Sequence, residues 1–562
     1  MAQTLTVVDG ETLDTGSETV EMLTVESGGT LNVNPAANFN LTGALPTTID
    51  NAGVINTGAN TDFQFARGVS NSGAINVNSS TTDGFAADIE LTGETDLTGG
   101  GTISLSGNNA GITGITPGLD LNIVDQTIQG DGAVGRNFLD INNNGLIDAN
   151  VTGQSILIDT NVGGLTNTGT VQASNGGTLA IQSSNVDNAG GTITAQTGST
   201  VLLDSGTSIT GGTVSSVGTG EVRTVDGSNV FLTDVTTSGS LVAGNNSDLG
   251  IEGTITNSGD IGFDSTTNFQ ADLEVQADGA TLTGGGTVTL SGVNAGINSI
   301  SSGSDLIIDD QTIQGDGAIG RNLIDITINA GATIDANVTG ETIFVDPSGS
   351  GPLTSDGTLS ASNGGIIDFN SDVISNGRIE LDNGTFTANS LISSIDSVIS
   401  GNGILIVDDD GPEIAGLLAP GDDLSAGTIE LDSLFLSSDS TLGIDLFGAT
   451  EFDSVVVNSL GESLVSGNLA VSLLGGFTPG ATDVFEFLSI NLDLGAPDSP
   501  IDFANVAIGD RILTSDGGGS FLVELTGTGV QLTNFEAVPE PGTLSFAIAI
   551  AGGIFLRRRR KS

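Results

Sequence analysis

A short repeat is the feature that most constrains how this chain folds. The unit is an asparagine, a small residue, a glycine and then a β-branched or aliphatic residue within three positions. Its copies start at Asn51, Asn71, Asn167, Asn188, Asn257 and Asn329. Where copies are consecutive, as at 51 and 71 or at 167 and 188, their spacing is about 20 residues, which in a β-rich sequence is typical of a solenoid. In a solenoid each coil stacks on its neighbours.

The residues between these glycine-rich units alternate as residues of strands do. In Leu442–Leu446 and Leu469–Leu473 every second residue is a large aliphatic one, and the body shows no convincing helical period. Asn and Gly tolerate the positive φ angles of tight corners. Because the repeated phrase of leucine-rich repeats is also missing, we predict an all-β, right-handed parallel β-helix over residues 1–400, with coils of about 20 residues.

A longer duplication lies within this body. The stretch Gln126–Asn137 returns almost unchanged as Gln311–Asn322. The copied block covers about 71–181 and 257–369. Extension by whole blocks suits a solenoid, because each coil needs only its neighbours. We expect equivalent residues of the two copies to lie on the same edges of the coil.

The composition changes from about residue 401 to residue 537. Phenylalanine becomes commoner, the Asn-x-Gly unit disappears, and the apolar alternation becomes more regular. The stretch Leu418–Gly421 contains Ala-Pro-Gly, which is typical of a turn between regions. We predict that 401–537 is a β-rich terminal region that caps the solenoid or packs beside it.

The charge and the missing residue types exclude several classes of function. The chain has 68 Asp and Glu against 11 Lys and Arg, a formal net charge of −57, and it has no Cys and no His. Catalytic triads with histidine, thiolate nucleophiles, disulfides and His- or Cys-ligated metals are therefore excluded. Such a chain would be repelled by phosphate backbones, so we expect no nucleic-acid partner. We expect no dedicated cofactor, and only diffuse, weak binding of Ca²⁺ or other divalent cations.

One segment resembles the start of a calcium-binding loop. Asp140, Asn142 and Asn144 offer oxygen ligands at positions 1, 3 and 5, and Gly145 stands at position 6. Position 12 is Val151 instead of a carboxylate, and the duplicated stretch lacks most of these oxygen ligands. An Asn-rich corner of the solenoid is the preferred interpretation.

Two glycine patterns match the fingerprint of dinucleotide sites. They are Gly130–Gly135 and its duplicate Gly315–Gly320. A dinucleotide site requires a helix directly after the glycines, and the Asn-rich sequence after Gly135 cannot hold one. We therefore interpret both patterns as turn glycines.

Two aspartate clusters leave an enzymatic alternative open. Asp408–Asp410 and Asp422–Asp423 could supply the pair of carboxylates that a glycosidase uses. Some polysaccharide-cleaving enzymes also have a β-helix fold. The clusters lie next to Gly-Pro and Pro-Gly turns, and the chain has no Trp or Tyr on which a sugar ring could stack. We expect a protein that is not an enzyme, with a polysaccharide hydrolase or lyase as the alternative.

Two arginines occupy equivalent places in the duplicated blocks. Arg136 is followed four residues later by Asp140, and Arg321 is followed in the same way by Asp325. Only six cations occur before the C-terminal tail, so this repetition indicates a selected position. We expect a structural ion pair that ties one coil to the next.

The C-terminal segment 538–562 differs from the rest of the chain. It begins with Val538, Pro539, Glu540 and Pro541, and continues into the uncharged, mostly apolar run Leu544–Leu556. The chain then ends in a basic cluster and one serine; the cluster is Arg557, Arg558, Arg559, Arg560 and Lys561. The apolar run would span about 20 Å as a helix, which is short for a bilayer. Under the positive-inside rule, the basic cluster would stay cytoplasmic.

This order of elements resembles the PEP-CTERM sorting signal. The resemblance implies export and recognition of the tail by an exosortase, a membrane-embedded processing enzyme. It also implies a location at the cell surface or in the extracellular matrix, with exopolysaccharide or divalent cations as candidate further partners. The body is more loosely similar to autotransporter- or haemagglutinin-like surface proteins. We therefore expect an exported structural or adhesin-like protein.

Two questions about the ends of the chain stay open. The tail is either removed close to 538–542 after transient anchoring in the membrane, or retained as a single-span anchor at 544–556. At the other end, the first seven residues hold no basic or apolar region, although the family pattern includes a secretion signal. The pair Ala2-Gln3 resembles residues around a cleavage site, so we expect a secretion signal that is either encoded upstream of Met1 or already trimmed away.

Overall fold

The chain folds as an all-β parallel β-solenoid, as the repeat predicts. The computed structural model describes residues 4–43, 47–79, 86–265, 269–349, 351–408, 411–422, 424–458, 464–490 and 501–538. No helix occurs in these ranges. The chain divides into two compact units, 1–353 and 354–562, and each is considered by itself.

The strands of the first unit are short, mostly four or five residues long. Their bounds are β1 (Thr4–Val7), β2 (Thr12–Thr15), β3 (Glu18–Val20), β4 (Met22–Val25), β5 (Thr30–Val33), β6 (Asn38–Leu41), β7 (Thr47–Asn51), β8 (Val54–Thr57), β9 (Asp62–Asn71), β10 (Ala74–Asn78), β11 (Ala87–Thr98), β12 (Thr102–Ser106), β13 (Ala110–Gly114), β14 (Leu119–Ile123), β15 (Thr127–Gly130), β16 (Gly132–Val134), β17 (Leu139–Asn143), β18 (Leu146–Ala149), β19 (Ser155–Asp159), β20 (Leu165–Asn167), β21 (Thr170–Ala173), β22 (Thr178–Gln182), β23 (Asn185–Asp187), β24 (Thr192–Ala195), β25 (Thr200–Leu203), β26 (Thr207–Thr210), β27 (Thr213–Ser216), β28 (Glu221–Thr224), β29 (Asn229–Thr233), β30 (Thr236–Ser238), β31 (Ser240–Ala243), β32 (Ser247–Asn257), β33 (Asp260–Asp264), β34 (Ala271–Thr283), β35 (Thr287–Ser291), β36 (Ala295–Ser299), β37 (Ser304–Ile308), β38 (Thr312–Gly315), β39 (Gly317–Ile319), β40 (Ile324–Ile328), β41 (Thr333–Ala336) and β42 (Thr342–Val345).

The strands from the division onward include several long, bent ones. Their bounds are β43 (Leu353–Ser355), β44 (Thr358–Ser362), β45 (Ile366–Ser375), β46 (Arg378–Ser393), β47 (Val398–Val407), β48 (Glu413–Ile414), β49 (Leu417–Pro420), β50 (Thr428–Leu431), β51 (Phe435–Leu436), β52 (Thr441–Leu446), β53 (Ser454–Val457), β54 (Leu464–Val465), β55 (Asn468–Leu473), β56 (Phe485–Ile490), β57 (Arg511–Leu513), β58 (Gly519–Leu525) and β59 (Gly529–Ala537).

Most coils of the first unit contribute one strand to each of three parallel ladders, and long strands such as β32 and β34 bend so that each belongs to two ladders. Face 1 is the ladder that runs through β14, β17, β20, β23, β26 and β29. Face 2 runs through β15, β18, β21, β24, β27 and β30. Face 3 runs through β16, β19, β22, β25, β28 and β31. Thr192 pairs with Thr170 in the coil before it and with Thr213 in the coil after it, so the predicted coil length is confirmed.

The interior of the coil is a column of aliphatic side chains. On face 2, Ile147, Val171, Ile193 and Val214 are neighbours in the ladder, and each is at most 1% exposed. In β21 and β27 the residues between them point outward, which gives the alternating burial that the sequence predicts. Burial of one such side chain contributes about 1.5–3 kcal/mol, so the stacked column supplies the main driving force for folding.

The asparagines of the repeat form a buried ladder at the corner between faces 1 and 2. Asn143 Nδ2 donates to Asn167 Oδ1 at 2.8 Å, and Asn167 Nδ2 donates to Asn188 Oδ1 at 2.7 Å. Asn143 Oδ1 accepts the backbone N–H of Gly145, which fixes the turn. These asparagines are fully buried, and their hydrogen bonds satisfy polar groups that would otherwise be costly inside the core.

One predicted corner does not belong to this ladder. Asn329 is half-buried at the surface and donates to Asp309 Oδ1 at 2.8 Å. Ile328, one residue earlier, occupies the register position that Asn143 occupies in the first copy. The Asn-x-Gly pattern at 329 is therefore shifted by one residue, which in a strand moves a side chain to the other face.

The two copies of the duplicated block lie on different faces, so the expected correspondence of edges is wrong. In the first copy, Gln126 precedes β15 on face 2. In the second copy, Gln311 precedes β38, which joins the face 3 ladder through β31, β33 and β35. The spacing between the copies is not a whole number of coils, so the second copy is displaced by one face.

The second unit continues with parallel pairing well beyond residue 400. The pairs β50–β53, β52–β55 and β53–β56 are all parallel. An antiparallel sheet is formed by the last strands, β56 to β59. The phenylalanines of this region pack there, and the Phe485 ring lies 5.3 Å from Phe452 and 5.7 Å from Phe521. Aromatic packing thus replaces the aliphatic column at this end of the unit.

Candidate functional site

The predicted sorting signal lies almost entirely outside the described residues. Val538 is described: it follows β59, its side chain is exposed, and its N–H donates to Gly518 O at 3.0 Å. The following residues of the signal, Pro539, Glu540 and Pro541, lie outside the described ranges. The apolar run 544–556 and the basic cluster 557–561 lie outside them as well. Within the described ranges, no helix has the length and apolar character needed to span a membrane.

The duplicated arginines form the most distinctive polar sites of the first unit. Arg136 has a φ of 49° and Arg321 a φ of 47°, both in the left-handed region that residues with side chains rarely adopt. The asparagine after each arginine, Asn137 or Asn322, is left-handed too. The left-handed backbone at these two residues directs the arginine side chain back across the neighbouring coil.

A glycine in that neighbouring coil provides the space for each guanidinium. A Cβ atom on Gly111 would lie 2.7 Å from Arg136 Nη2, and one on Gly296 would lie 2.7 Å from Arg321 Nη2. Each arginine therefore crosses a strand that has no side chain at this position. Its partner lies beyond that strand, in the coil that precedes the glycine.

The partners of the two arginines are not the aspartates that we expected. Arg136 Nη1 donates to Asp88 Oδ2 at 3.1 Å, and Arg321 Nη1 donates to Asp272 Oδ2 at 3.2 Å. The prediction of a structural ion pair between coils is confirmed, but the pair spans an intervening coil instead of tying one coil to the next, and Asp140 is not the partner. Asp140 Oδ1 instead accepts the N–H of Gly163 at 2.8 Å.

Asp325 is likewise not the partner of Arg321. Its carboxylate accepts a hydrogen bond from the Ser348 hydroxyl. Sequence proximity misled the assignment, because residues four apart meet on a helix but not at a corner between strands. The repeated phrase Ala-Asp-aliphatic-Glu-aliphatic at 87–91 and 271–275 is the signal that could have identified the true partners.

Burial raises the pKa of both partner carboxyl groups. Burial raises the pKa of Asp88 to about 6, the Arg136 charge opposes this rise, and the carboxylates of Glu90 and Asp62 add to it. Burial also raises the pKa of Asp272, against the opposing charge of Arg321. In both sites the loss of hydration outweighs the attraction of the arginine. Each of these Arg–Asp pairs therefore acts as a structural link between coils, and we call it an arginine clamp.

The candidate ligands of the calcium-like segment are each bonded to a different neighbour. Asp140 Oδ1 accepts the N–H of Gly163, and Asn142 Nδ2 donates to Asn122 Oδ1 at 2.8 Å. Asn144 lies in the turn after strand β17, and its Oδ1 accepts a hydrogen bond from the Thr168 hydroxyl. Among the described residues, no group of three or more acidic side chains is arranged to hold a metal ion.

The glycine pattern at Gly130–Gly135 belongs to strands and corners. Gly130 is the last residue of strand β15, and strand β16 begins two residues later. Gly130 has a φ of 114°. A Cβ atom on Gly130 would lie 1.9 Å from Leu105 O, so the neighbouring coil excludes any side chain there. The duplicate residue, Gly315, has a φ of 113° and the same distance to Leu290 O. These glycines permit coil stacking, as interpreted from the sequence.

The carboxylates of the enzymatic alternative are only partly described. Asp409, Asp410 and Asp423 lie outside the described residues. Asp408 adds to the rise in the pKa of Asp368 that burial causes. Asp422 has its pKa lowered, because its carboxylate accepts hydrogen bonds from the backbone and side chain at Leu424 and Ser425.

A carboxyl group near Asp422 was not identified from the sequence. Asp453 is 1% exposed, and its carboxyl oxygens accept the N–H groups of Gly427 and Asp445, each at 3.0 Å. Burial raises the pKa of Asp453 to about 7, and the Asp445 and Asp422 carboxylates add to this rise. A glycosidase uses two carboxyl groups whose pKa values differ, as those of Asp422 and Asp453 do. Because Asp453 is enclosed and already bonded to two backbone groups, its geometry suits a structural link between the Gly427 loop and strand β52.

Comparison with known proteins assigns no family to this chain. It matches no protein-family model, and no curated protein resembles it closely enough to be counted as a relative. Its function is therefore inferred from the residues and from the fold.

Proposed function

We propose that this protein is an exported structural or adhesin-like component of the cell surface or extracellular matrix and is not an enzyme. The observation that carries the proposal is the combination of a β-solenoid body with the tail from Val538 to Ser562. The outward side chains of the solenoid are mostly hydroxyls, amides and carboxylates, and the net charge is −57. Such a surface stays hydrated and soluble outside the cell.

The solenoid supports a structural role because it extends by repetition. Each coil stacks on the coils next to it, so length can increase without redesign of the core. Right-handed coiling is part of this proposal, since parallel strand crossovers are right-handed in almost all known cases. Diffuse, weak binding of divalent cations to the acidic faces is compatible with the same role.

The tail supports export through a PEP-CTERM type of signal. A transmembrane helix at 544–556 would hold Pro539, Glu540 and Pro541 at the outer membrane surface, with the basic cluster at the inner surface. Proline fixes φ and removes a hydrogen-bond donor, so this peptide stays extended, as a protease requires. An exosortase-type enzyme would then release the body from its transient anchor.

Cell fractionation tests the proposal. The full chain and a variant that ends at residue 537 are expressed with the same secretion signal in a host that has an exosortase. We expect the full chain at the surface or in the matrix, and the truncated variant free in the medium or retained in the periplasm. A full chain that stays in the cytoplasm despite the secretion signal would contradict the proposal.

The polysaccharide hydrolase or lyase is the second candidate. The separated pKa values of Asp422 and Asp453 are the observation that favours it. Purified protein is incubated with a panel of polysaccharides, and release of reducing or unsaturated ends is measured. Activity that Asp422→Asn abolishes without loss of folding would establish this candidate instead.

A further inference from the structure

A column of threonines runs along the outside of face 2. Nine consecutive register positions contain eight threonines and one leucine, Leu146. The threonines are Thr102, Thr127, Thr170, Thr192, Thr213, Thr236, Thr256 and Thr283. Every one of them is half-buried or exposed. We call this set the threonine ladder.

The threonine ladder is accompanied by almost no charge. Among the strands of face 2 from β12 to β30, Asp148 is the sole charged residue, and it is 8% exposed. Ser174 donates to its carboxylate at 3.0 Å. Face 1 differs sharply, because its strands carry outward carboxylates at Asp96, Asp120, Asp140, Asp187 and Asp248. In a chain of net charge −57, the strands of face 2 from β12 to β30 thus form a nearly neutral strip. At the end of the threonine ladder, the Thr283 hydroxyl donates to Asp309 Oδ2 at 3.5 Å.

The dimensions of the strip suit an extended polymer. Adjacent strands are about 4.8 Å apart, so nine positions extend over about 38 Å. A second column lies two residues further along each strand. Its half-buried members are Ser104, Gln129, Gln172, Ser215 and Ser238, and the more enclosed Asp148 and Thr194 stand on either side of Gln172. The two columns together offer hydroxyl and amide groups that donate and accept hydrogen bonds along the whole strip.

We propose that the threonine ladder binds a neutral polysaccharide along its length. A linear polymer of sugar units presents hydroxyl groups at regular intervals, which matches a regular row of donors and acceptors. An anionic polymer would be repelled by the neighbouring acidic face, whereas a neutral polymer avoids this cost. The inference deepens the proposed function, on which it rests, by naming the class of matrix polymer.

Binding of purified protein to insoluble polysaccharides tests the ladder directly. The full-length chain, in mild detergent, is mixed with amorphous cellulose, mannan or amylose, and the bound fraction is measured at several salt concentrations. The test variant carries Thr170→Val, Thr192→Val and Thr213→Val. Valine keeps the β-branched shape and removes only the hydroxyl. We expect retention on at least one neutral polymer and a loss of about tenfold or more in the triple variant.

The duplication supplies a matched control on another face. Thr287 and Thr312 are the face 3 counterparts of Thr102 and Thr127, and Thr333 follows them in the same ladder. All three are half-buried. The triple change to valine there should leave binding within about twofold of the unchanged protein, because the hydroxyls of the threonine ladder stay in place. Far-ultraviolet circular dichroism confirms that both triple variants are folded.

Three results would overturn the inference. One is equal loss of binding in both triple variants, which would indicate a general effect on the fold. Another is failure of the unchanged protein to bind any of the three neutral polymers. The third is retention on alginate that requires calcium and is unaffected by the face 2 variant. None of these results bears on export or tail processing, which are tested separately in cells.

Discussion

The two copies of the duplicated block make the same contacts on different faces of the solenoid. Gln126 and Gln311 each exchange two hydrogen bonds with an asparagine of an earlier coil, at 2.8 and 2.9 Å in the first copy and 2.9 Å for both in the second. The arginine clamps repeat as well. The duplicated sequence therefore determines the contacts between coils, but it does not determine the face of the solenoid on which they lie.

The copies are not identical in their polar interiors. The Asp272 side chain is 3% exposed and also accepts a hydrogen bond from Asn298 at 2.9 Å. The Asp88 side chain is 9% exposed, and Thr113 stands at the register position of Asn298. The Asp272 carboxylate is thus the more buried of the two, whereas Arg136 meets both oxygens of Asp88, with Nη1 3.1 Å from Oδ2 and Nη2 3.1 Å from Oδ1. These differences allow the two copies to be separated by experiment.

Loss of an arginine should have the largest effect, and more in the second copy. Arg321→Met and Arg136→Met leave a buried carboxylate without its cation, at a cost on the order of 3 kcal/mol. We expect local stability, measured by hydrogen exchange of the strands around each site, to fall further for Arg321→Met. Arg223→Met is the control, because this exposed side chain makes only long contacts with Glu221 and Asp226.

The pH dependence of the first clamp separates charge from packing. The pKa of Asp88 is about 6 in the folded protein, above its ordinary value of 3.8. A raised carboxyl pKa contributes stability that is complete below pH 3.8 and is lost as the pH rises through about 6. We expect protection of β11 against hydrogen exchange, after correction for intrinsic rates, to fall across this range. The same profile in Asp88→Asn would contradict the assignment.

A side chain at Gly111 or Gly296 should displace the arginine that crosses this position without removing it. Gly111→Ala and Gly296→Ala place a Cβ atom 2.7 Å from the guanidinium, and we expect a loss of about 1–3 kcal/mol in local stability. Gly262→Ala is the control, because the nearest atom to its Cβ would lie at an ordinary 3.7 Å. Equal losses of local stability in Gly262→Ala and Gly111→Ala would show that displacement of the guanidinium is not the cause of the loss.

Asn143→Ile introduces into the first copy the residue type that the second copy has at Ile328. The change removes the donor to Asn167 Oδ1 and the acceptor of the Gly145 N–H. We expect a loss of about 1–2 kcal/mol in urea unfolding, the smallest effect of the series, because the added apolar side chain offsets part of the cost. An unchanged stability would show that the asparagine is dispensable at this corner.

The repeat predicts the fold well because its signal is local. Asn-x-Gly corners and aliphatic alternation are sufficient to infer parallel coils and their approximate length. The faces on which the two copies lie could not be inferred, since coil lengths vary and small differences accumulate over many coils. The parallel pairing beyond residue 400 was also missed, because the strands there lack the Asn-x-Gly unit that marks a coil.

The candidate site was harder to predict for a physical reason. The arginine partners lie 48 and 49 residues away in sequence, and only the stacking of coils brings them together. Asp453 could not be identified from the sequence, because its burial depends on the loop at Gly427 and on strand β52 at Asp445, which meet only in the fold. The tail, in contrast, is a linear motif, so its prediction needs no fold.

The intact mass of the exported protein tests the central claim most directly. The protein is purified from the surface or matrix fraction of cells that have an exosortase, and its C-terminal peptide is identified by mass spectrometry. We predict a chain that ends close to 538–542 and lacks residues 544–562. A full-length chain that ends at Ser562 in the membrane fraction, with no shortened form outside the cell, would contradict this prediction.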